Sequence, residues 1–301
     1  MIQGQAISPS VANGQRTVGF HSNPDPAIPS RLLRLAPGYT NDPIWVSLAA
    51  RADMPDSLGY RLKLGVIAPT TNTVVQPEFD ALRPRGVTNQ MTRVVIPDTP
   101  VGTEQEFATM MSTVRSSIEA AVDSVMACSP AAIAMGMSAE TFWEGTLDPN
   151  GVQAHLEARA GVKVILGAQA CQHAIQRYGG IRRISLITPY MPSGDAQVRR
   201  AFTDSGYEVI NLLGLKCNSP LLMAHEPPER LRRAVREVDD SSVELILQVG
   251  ANLAFAKVAA EAEQWLGKPV LAVNTCTYWH ALRTCGIEDK IEGFGSLLME
   301  H

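Results

Sequence analysis

The sequence predicts an α/β protein made of two pseudo-symmetric, doubly wound parallel-sheet halves with a site between them. Three observations carry that expectation. From Leu62 onward, short β-branched or apolar runs alternate with helical patterns, as βαβ units require. Three stretches of this region recur later in the chain in the same order. The composition, 45% hydrophobic and 19% charged over 301 residues, is that of a globular chain able to bury a large core without disulfide staples.

Residues 1–60 stand apart. They are rich in Pro, Ser, Asn and Gly, with Pro24, Pro26, Pro29, Pro37, Pro43 and Pro55 and few periodic apolar positions, which predicts an extended N-terminal arm. Its one candidate ordered piece, Trp45 to Ala50, would pack on the body or on a neighbouring subunit, so a homo-oligomer is compatible with the sequence. The halves are expected at 61–178 and 179–301. Strands are predicted at 62–68, 90–96, 131–135, 163–166, 183–188, 207–213, 245–249 and 270–273. Helices are predicted at 107–126, 151–159, 195–204, 228–238 and 253–266, with glycine stops at Gly161, Gly206 and Gly267.

The repeat pairs RLKLGVIAPTTN (61–72) with RRISLITPYMP (182–192), and AAIAMGMS (131–138) with LILQVGAN (245–252). It also pairs the stretch from Gly161 to Ile175 with that from Gly267 to Leu282. In a doubly wound sheet the ligand loops follow the C-terminal ends of the strands. These are the stretches from Pro69 to Thr73, Gly136 to Glu140, Pro189 to Asp195, Gly250 to Asn252 and Asn274 to Cys276. They are dense in hydroxyls, amides and helix N-termini and contain no Lys or Arg, a composition suited to a small carboxylate held by neutral donors. Capping of the following helices is the competing role for Thr70, Thr71, Asn72 and Ser138.

Several classes are excluded. A net charge of −4 without a basic block argues against nucleic acid. No apolar run reaches the roughly 20 residues of a membrane span, and the N-terminus lacks a signal-peptide pattern, so a cytoplasmic protein off the membrane is expected. The five cysteines, Cys128, Cys171, Cys217, Cys276 and Cys285, form no CxxC pair and are expected as reduced thiols. His155, His173 and His225 show no ligand spacing, so no metal is expected. Neither a GxxxxGK[ST] nor a strand-following GxGxxG occurs, which leaves no nucleotide cofactor to predict.

LGVIAPTTNT (64–73), AMGMS (134–138), TPYM (188–191) and GKPV (267–270) resemble the aspartate/glutamate racemase superfamily, in particular its maleate cis-trans isomerase and arylmalonate decarboxylase branch. The resemblance covers residues 61 to 298. It implies a cofactor-independent isomerase or decarboxylase (lyase) for a small carboxylate or dicarboxylate, working through an enolate-type intermediate. It implies carboxylate contacts for Thr70, Thr71 and Asn72 and a hydrogen bond from Tyr190. It also implies an anion pocket lined by Gly136, Met137 and Ser138, completed by the backbone around Gly250, Ala251 and Asn252. Enzymes of this superfamily carry a cysteine in each half, and the decarboxylase keeps the second. Here Gly136 and Gly250 fall at those positions, and glycine has nothing to deprotonate.

Another group would then act. Cys276 is expected near the start of a helix, where the dipole favours thiolate, with His280 one turn on. The alternative is a buried inert thiol beside a satisfied histidine. Glu140, after Ser138, is a candidate general base or a carboxylate stabilising a first helical turn. Asp195 reads as a first-turn residue. Phe142, Trp143 and Tyr278 are candidate substrate walls or core. Two other functions stay open: a non-catalytic carboxylate-binding protein, and a hydrolase using Glu140 or Cys276.

Overall fold

The computed structural model describes residues 56–101, 103–138 and 151–301. The arm over 1–60 therefore lies almost wholly outside the described residues, as do Glu140, Phe142 and Trp143.

Strand formation follows burial. β1 (Leu62–Pro69) encloses Leu64, Val66, Ile67 and Ala68 completely, as a strand covered on both faces must. It pairs in parallel with β2 (Val87–Val94) and β3 (Ala132–Met135), and β4 (Lys163–Ile165) completes the order β2-β1-β3-β4. The second sheet repeats the permutation. β5 (Arg183–Thr188) lies between β6 (Glu208–Gly214) and β7 (Leu245–Gln248), with β8 (Val270–Ala272) outside β7, giving β6-β5-β7-β8. The predicted twofold repeat is thus a repeat of topology, with every strand pairing parallel.

The helices are α1 (Val75–Ala81), α2 (Glu104–Met126), α3 (Val152–Ala160), α4 (Gly167–Arg177), α5 (Pro192–Asp204), α6 (Pro228–Val238), α7 (Ala256–Leu266), α8 (Val273–Thr284) and α9 (Ser296–Glu300). Their ends follow local chemistry. α2 starts three residues before its predicted start because Thr103 and Glu106 form a reciprocal capping box. α5 starts at Pro192, not at 195, since proline suits the first helical position. α7 starts at 256 because Leu253 and Phe255 are held in a turn by the Gly250 and Leu253 carbonyls.

α4 and α8, repeat counterparts, pack against each other between the halves. Their apolar faces belong to one core that runs from Leu62 to Leu298, while a second cluster fills the space between α2 and the first sheet. Fully burying a Val, Leu or Ile side chain contributes roughly 1.5–3 kcal/mol, so the shared core binds the halves firmly. Among the described residues no helix is long and apolar enough to cross a membrane.

Candidate active site

In each sheet the strand order reverses direction between its two central strands, β1 and β3 in one and β5 and β7 in the other. Loops leaving such a switch point diverge and open a crevice. The registers Ile67↔Met135 and Ile187↔Gln248 bring the strand ends level, so the four following loops emerge side by side. They meet in a cleft with about 560 Å³ of empty space, its open mouth included. Of the residues singled out in the sequence, Thr71, Asn72, Met137, Ser138, Tyr190, Gly250, Ala251 and Asn252 line it.

The first half contributes a polar turn. Asn72 Oδ1 accepts from the N–H groups of Val74 (3.0 Å) and Val75 (2.9 Å), capping α1 and fixing the side chain in the cleft wall. Both proposed roles therefore meet in one residue: the oxygen caps, and among the described residues Nδ2 has no acceptor. Behind the turn Arg93 Nη1 donates to the carbonyls of Asn72 (2.6 Å) and Pro69 (3.2 Å), bracing it with a positive charge that no loop sequence revealed.

The second half contributes a phenol and a peptide loop. Tyr190 OH and Ser138 Oγ lie 3.1 Å apart, and Ser138 Oγ accepts from the Ala251 N–H at 3.0 Å, tying β3, β5 and β7 together at the cleft. Burial pushes the Tyr190 phenol up to about 12, so it remains a protonated donor at neutral pH. The N–H groups of Thr71, Gly250 and Asn252 have no acceptor among the described residues. Such amides are oxyanion donors in waiting.

The rest of the lining is apolar: Ile96, Met110, Met111 and Val114 from the first half, Pro220 and Met223 from the second. This wall was not visible in the sequence. Met110, Met111 and Val114 belong to the buried face of α2, and their periodicity reads simply as core.

Three expectations need correction, those for Thr70, Gly136 and the Cys276–His280 pair. Thr70 is exposed and does not line the cleft; its hydroxyl donates to the Ile96 carbonyl (2.8 Å) and accepts from the Ile96 N–H (3.1 Å), stitching the turn to the chain after β2. Gly136 also lies outside the lining, its N–H bound to the Ile67 carbonyl. Asn252, expected to serve through its backbone, does line the cleft, and its side chain is a strut. Its Oδ1 accepts from Thr73 N–H (3.0 Å) and its Nδ2 donates to the carbonyls of Thr71 (3.3 Å) and Pro220 (2.8 Å). Cys276 and His280 do not reach the cleft. They follow β8, beside β7 and away from the switch point, and the Cys276 thiol is buried beside Cys171, both of which raise its pKa. His280 pairs with His173 (Nε2 to Nδ1, 3.0 Å), and burial lowers it to about 4. Tyr278 is core, its ring on Phe79 and its hydroxyl donating to Asn89.

All five cysteines lie in the described residues, and none lines the cleft. The two glycines show how closely their surroundings fit. A Cβ on Gly136 would come within 2.6 Å of Val75 Cγ1. One on Gly250 would meet Pro189 Cδ at 2.4 Å, and the φ of +118° there already disfavours a side chain. Among the described residues no cluster of three or more His, Cys, Asp or Glu side chains is placed to hold a metal ion.

Known proteins are similar to this chain in sequence and in fold. A family model described as arylmalonate decarboxylase matches residues 64–298. The maleate isomerase of Alcaligenes faecalis is 25% identical over 251 residues, 78% of this chain and 96% of that protein. That of Geobacillus stearothermophilus is 29% identical over 120 residues, 40% of this chain and about half (48%) of the relative. Among solved structures, a maleate cis-trans isomerase variant from Nocardia farcinica with a covalently bound succinylcysteine intermediate superposes with a TM-score of 0.73. It is 20% identical, and the match covers 80% of this chain and 99% of that one.

Proposed function

The chain belongs to the arylmalonate decarboxylase family, and from that premise we propose a cofactor-independent enzyme that removes carbon dioxide from a small dicarboxylate bearing an apolar substituent. The observation that carries the choice is the lining of the cleft, which combines neutral donors with a methionine-rich apolar wall and holds no thiol. An isomerisation that passes through a cysteine adduct, as the Nocardia farcinica complex indicates for that enzyme, needs a sulfur nucleophile at the double bond. Cleavage of a carbon–carbon bond to release carbon dioxide forms no such adduct; it needs only an acid to protonate the α-carbon afterwards, and with glycine at the second cysteine position that acid is not a thiol.

One carboxylate would take the donors of Thr71, Asn72 and the Gly250 and Asn252 amides. When the bond to the second carboxyl breaks, its electron pair is left on the α-carbon and delocalises into the retained carboxylate as an enediolate. Charge thus grows on the oxygens those donors already hold, so they bind the transition state more tightly than the substrate. The apolar wall suits a departing carboxyl that loses its charge as carbon dioxide. A proton then reaches the α-carbon from solvent or from Tyr190, which solvent reprotonates.

The test is turnover of phenylmalonate and maleate by purified protein, followed as carbon dioxide release and as fumarate formation. Phenylmalonate should release carbon dioxide and maleate should stay unchanged; isomerised maleate with no release from phenylmalonate overturns the proposal. One observation favours a second reading, a non-catalytic carboxylate binder: Tyr190, the titratable group among the described lining residues, is pushed far above neutrality. Thermal stabilisation by an acid that is never turned over would select it.

A further inference from the structure

Behind the cleft lies a half-buried carboxylate that the proposed chemistry does not use. Glu78, on α1 of the first half, crosses to the second. Its Oε2 accepts from Asn274 Nδ2 at 2.7 Å and its Oε1 from the Ala256 N–H at 3.0 Å. Asn274 Nδ2 also donates to the Ala251 carbonyl at 3.0 Å, and the N–H of that same Ala251 donates to Ser138 Oγ beside Tyr190. One chain of hydrogen bonds thus runs from Glu78 through Asn274 and both faces of the Ala251 residue to the phenol in the cleft.

We infer that Glu78, as an ionised carboxylate, is the positioning residue for the donor loop of the second half: it holds Asn274 and the start of α7 so that the Gly250–Asn252 peptides face the substrate oxygens. Every partner of Glu78 is a donor, which an acceptor-only carboxylate satisfies and an amide or a protonated carboxyl would not. The Ala256 N–H is at the N-terminus of an eleven-residue helix, where a negative charge is further favoured. Burial opposes that charge and pushes Glu78 up to about 7, while the hydrogen bonds from Asn274 and the Ala256 N–H pull the other way. No local signal marks it in the sequence; its key partner is 196 residues away.

The inference rests on the cleft being the substrate site only for its kinetic arm. Amide hydrogen exchange of residues 250–256 is compared in wild type, Glu78→Gln and Asn274→Ala, with the β5 segment 183–188 as internal reference. Loss of a charge-assisted bond at the loop should speed exchange there by about tenfold or more while the reference stays constant. Unchanged loop exchange, or equal acceleration of loop and reference, overturns the assignment. Should Glu78→Gln fail to fold, Asn274→Ala cuts the same chain and decides it. With phenylmalonate as probe, kcat should fall about tenfold with KM nearly constant, since misplaced donors weaken the transition state. A probe that is not turned over counts against the proposed decarboxylation, and the exchange arm still decides the role of Glu78.

Discussion

The two halves share a strand permutation but not a way of holding their first helix, and the contrast accounts for the asymmetry of the cleft. In the first half the Asn72 side chain accepts from the Val74 and Val75 N–H groups at the entrance to α1, and Glu78 on that helix reaches across to α7 and α8. In the second, α5 begins at Pro192 with no side-chain cap. Its carboxylate, Asp195, stays at home, accepting a hydrogen bond from Thr188 of the adjoining strand. The third element differs as well: α2 runs for 23 residues and lends the cleft Met110 and Met111, whereas α6 has eleven and lends no methionine. A duplicated scaffold therefore places loops by symmetry, while chemistry is written separately into each.

The largest expected effect separates the paired glycines. Gly250→Ala forces a left-handed φ on an L-residue and drives its Cβ into a proline ring fixed to the backbone, so roughly 4 kcal/mol of stability should be lost. Gly136→Ala meets first a side-chain methyl of Val75, which can shift, and about 2 kcal/mol is expected. Denaturant unfolding measures both. Equal losses would show that the halves tolerate a side chain alike and would undo this part of the comparison.

The paired carboxylates differ next. Glu78 sits near 7 in the fold against 4.5 in the free residue, so its contribution to stability is full below about 4.5 and is lost as pH rises through 7. The change amounts to roughly 3 kcal/mol. Asp195, raised to about 6 by burial, adds in the same direction between about 3.8 and 6, but it is partly solvated and its share is smaller. Unfolding free energy measured from pH 4.5 to 8 should fall with pH in wild type and flatten in Glu78→Gln. A slope unchanged by that substitution would move the effect elsewhere.

Donors from the two halves come third. Tyr190→Phe and Asn72→Ala should each lower kcat/KM for phenylmalonate by about a hundredfold, near 2.7 kcal/mol of transition-state stabilisation. They part company in stability. Asn72→Ala orphans the Val74 and Val75 N–H groups and should cost a further 1–2 kcal/mol, roughly, in unfolding. Tyr190→Phe should cost about 1 kcal/mol or less.

How much of this was legible in the chain depends on range. The sheet halves, strand positions and four cleft loops could be read because alternating patterns and a repeat are local or periodic signals. Tyr190, Ser138 and the Gly250 loop followed from those strand ends. Glu78, Arg93 and the methionine wall could not be read, since each acts through a partner made near only by folding. Cys276 misled for a related reason: a helix start after a strand signals a site only beside a switch point, and β8 is one strand removed from it.

The smallest effect tests that distinction within one turn. Thr70 and Thr71 are adjacent and chemically identical, yet Thr70 spends its hydroxyl on both backbone groups of Ile96 whereas Thr71 lines the cleft. Thr70→Val removes a donor and an acceptor at an exposed position, so unfolding should lose about 1 kcal/mol and turnover of phenylmalonate should stay within about threefold. Thr71→Val should do the reverse, sparing stability and weakening substrate binding about tenfold, the loss of one hydrogen bond to a charged ligand. The opposite outcome would mean that the turn presents Thr70 to the substrate, and the first half's donors would have to be reassigned.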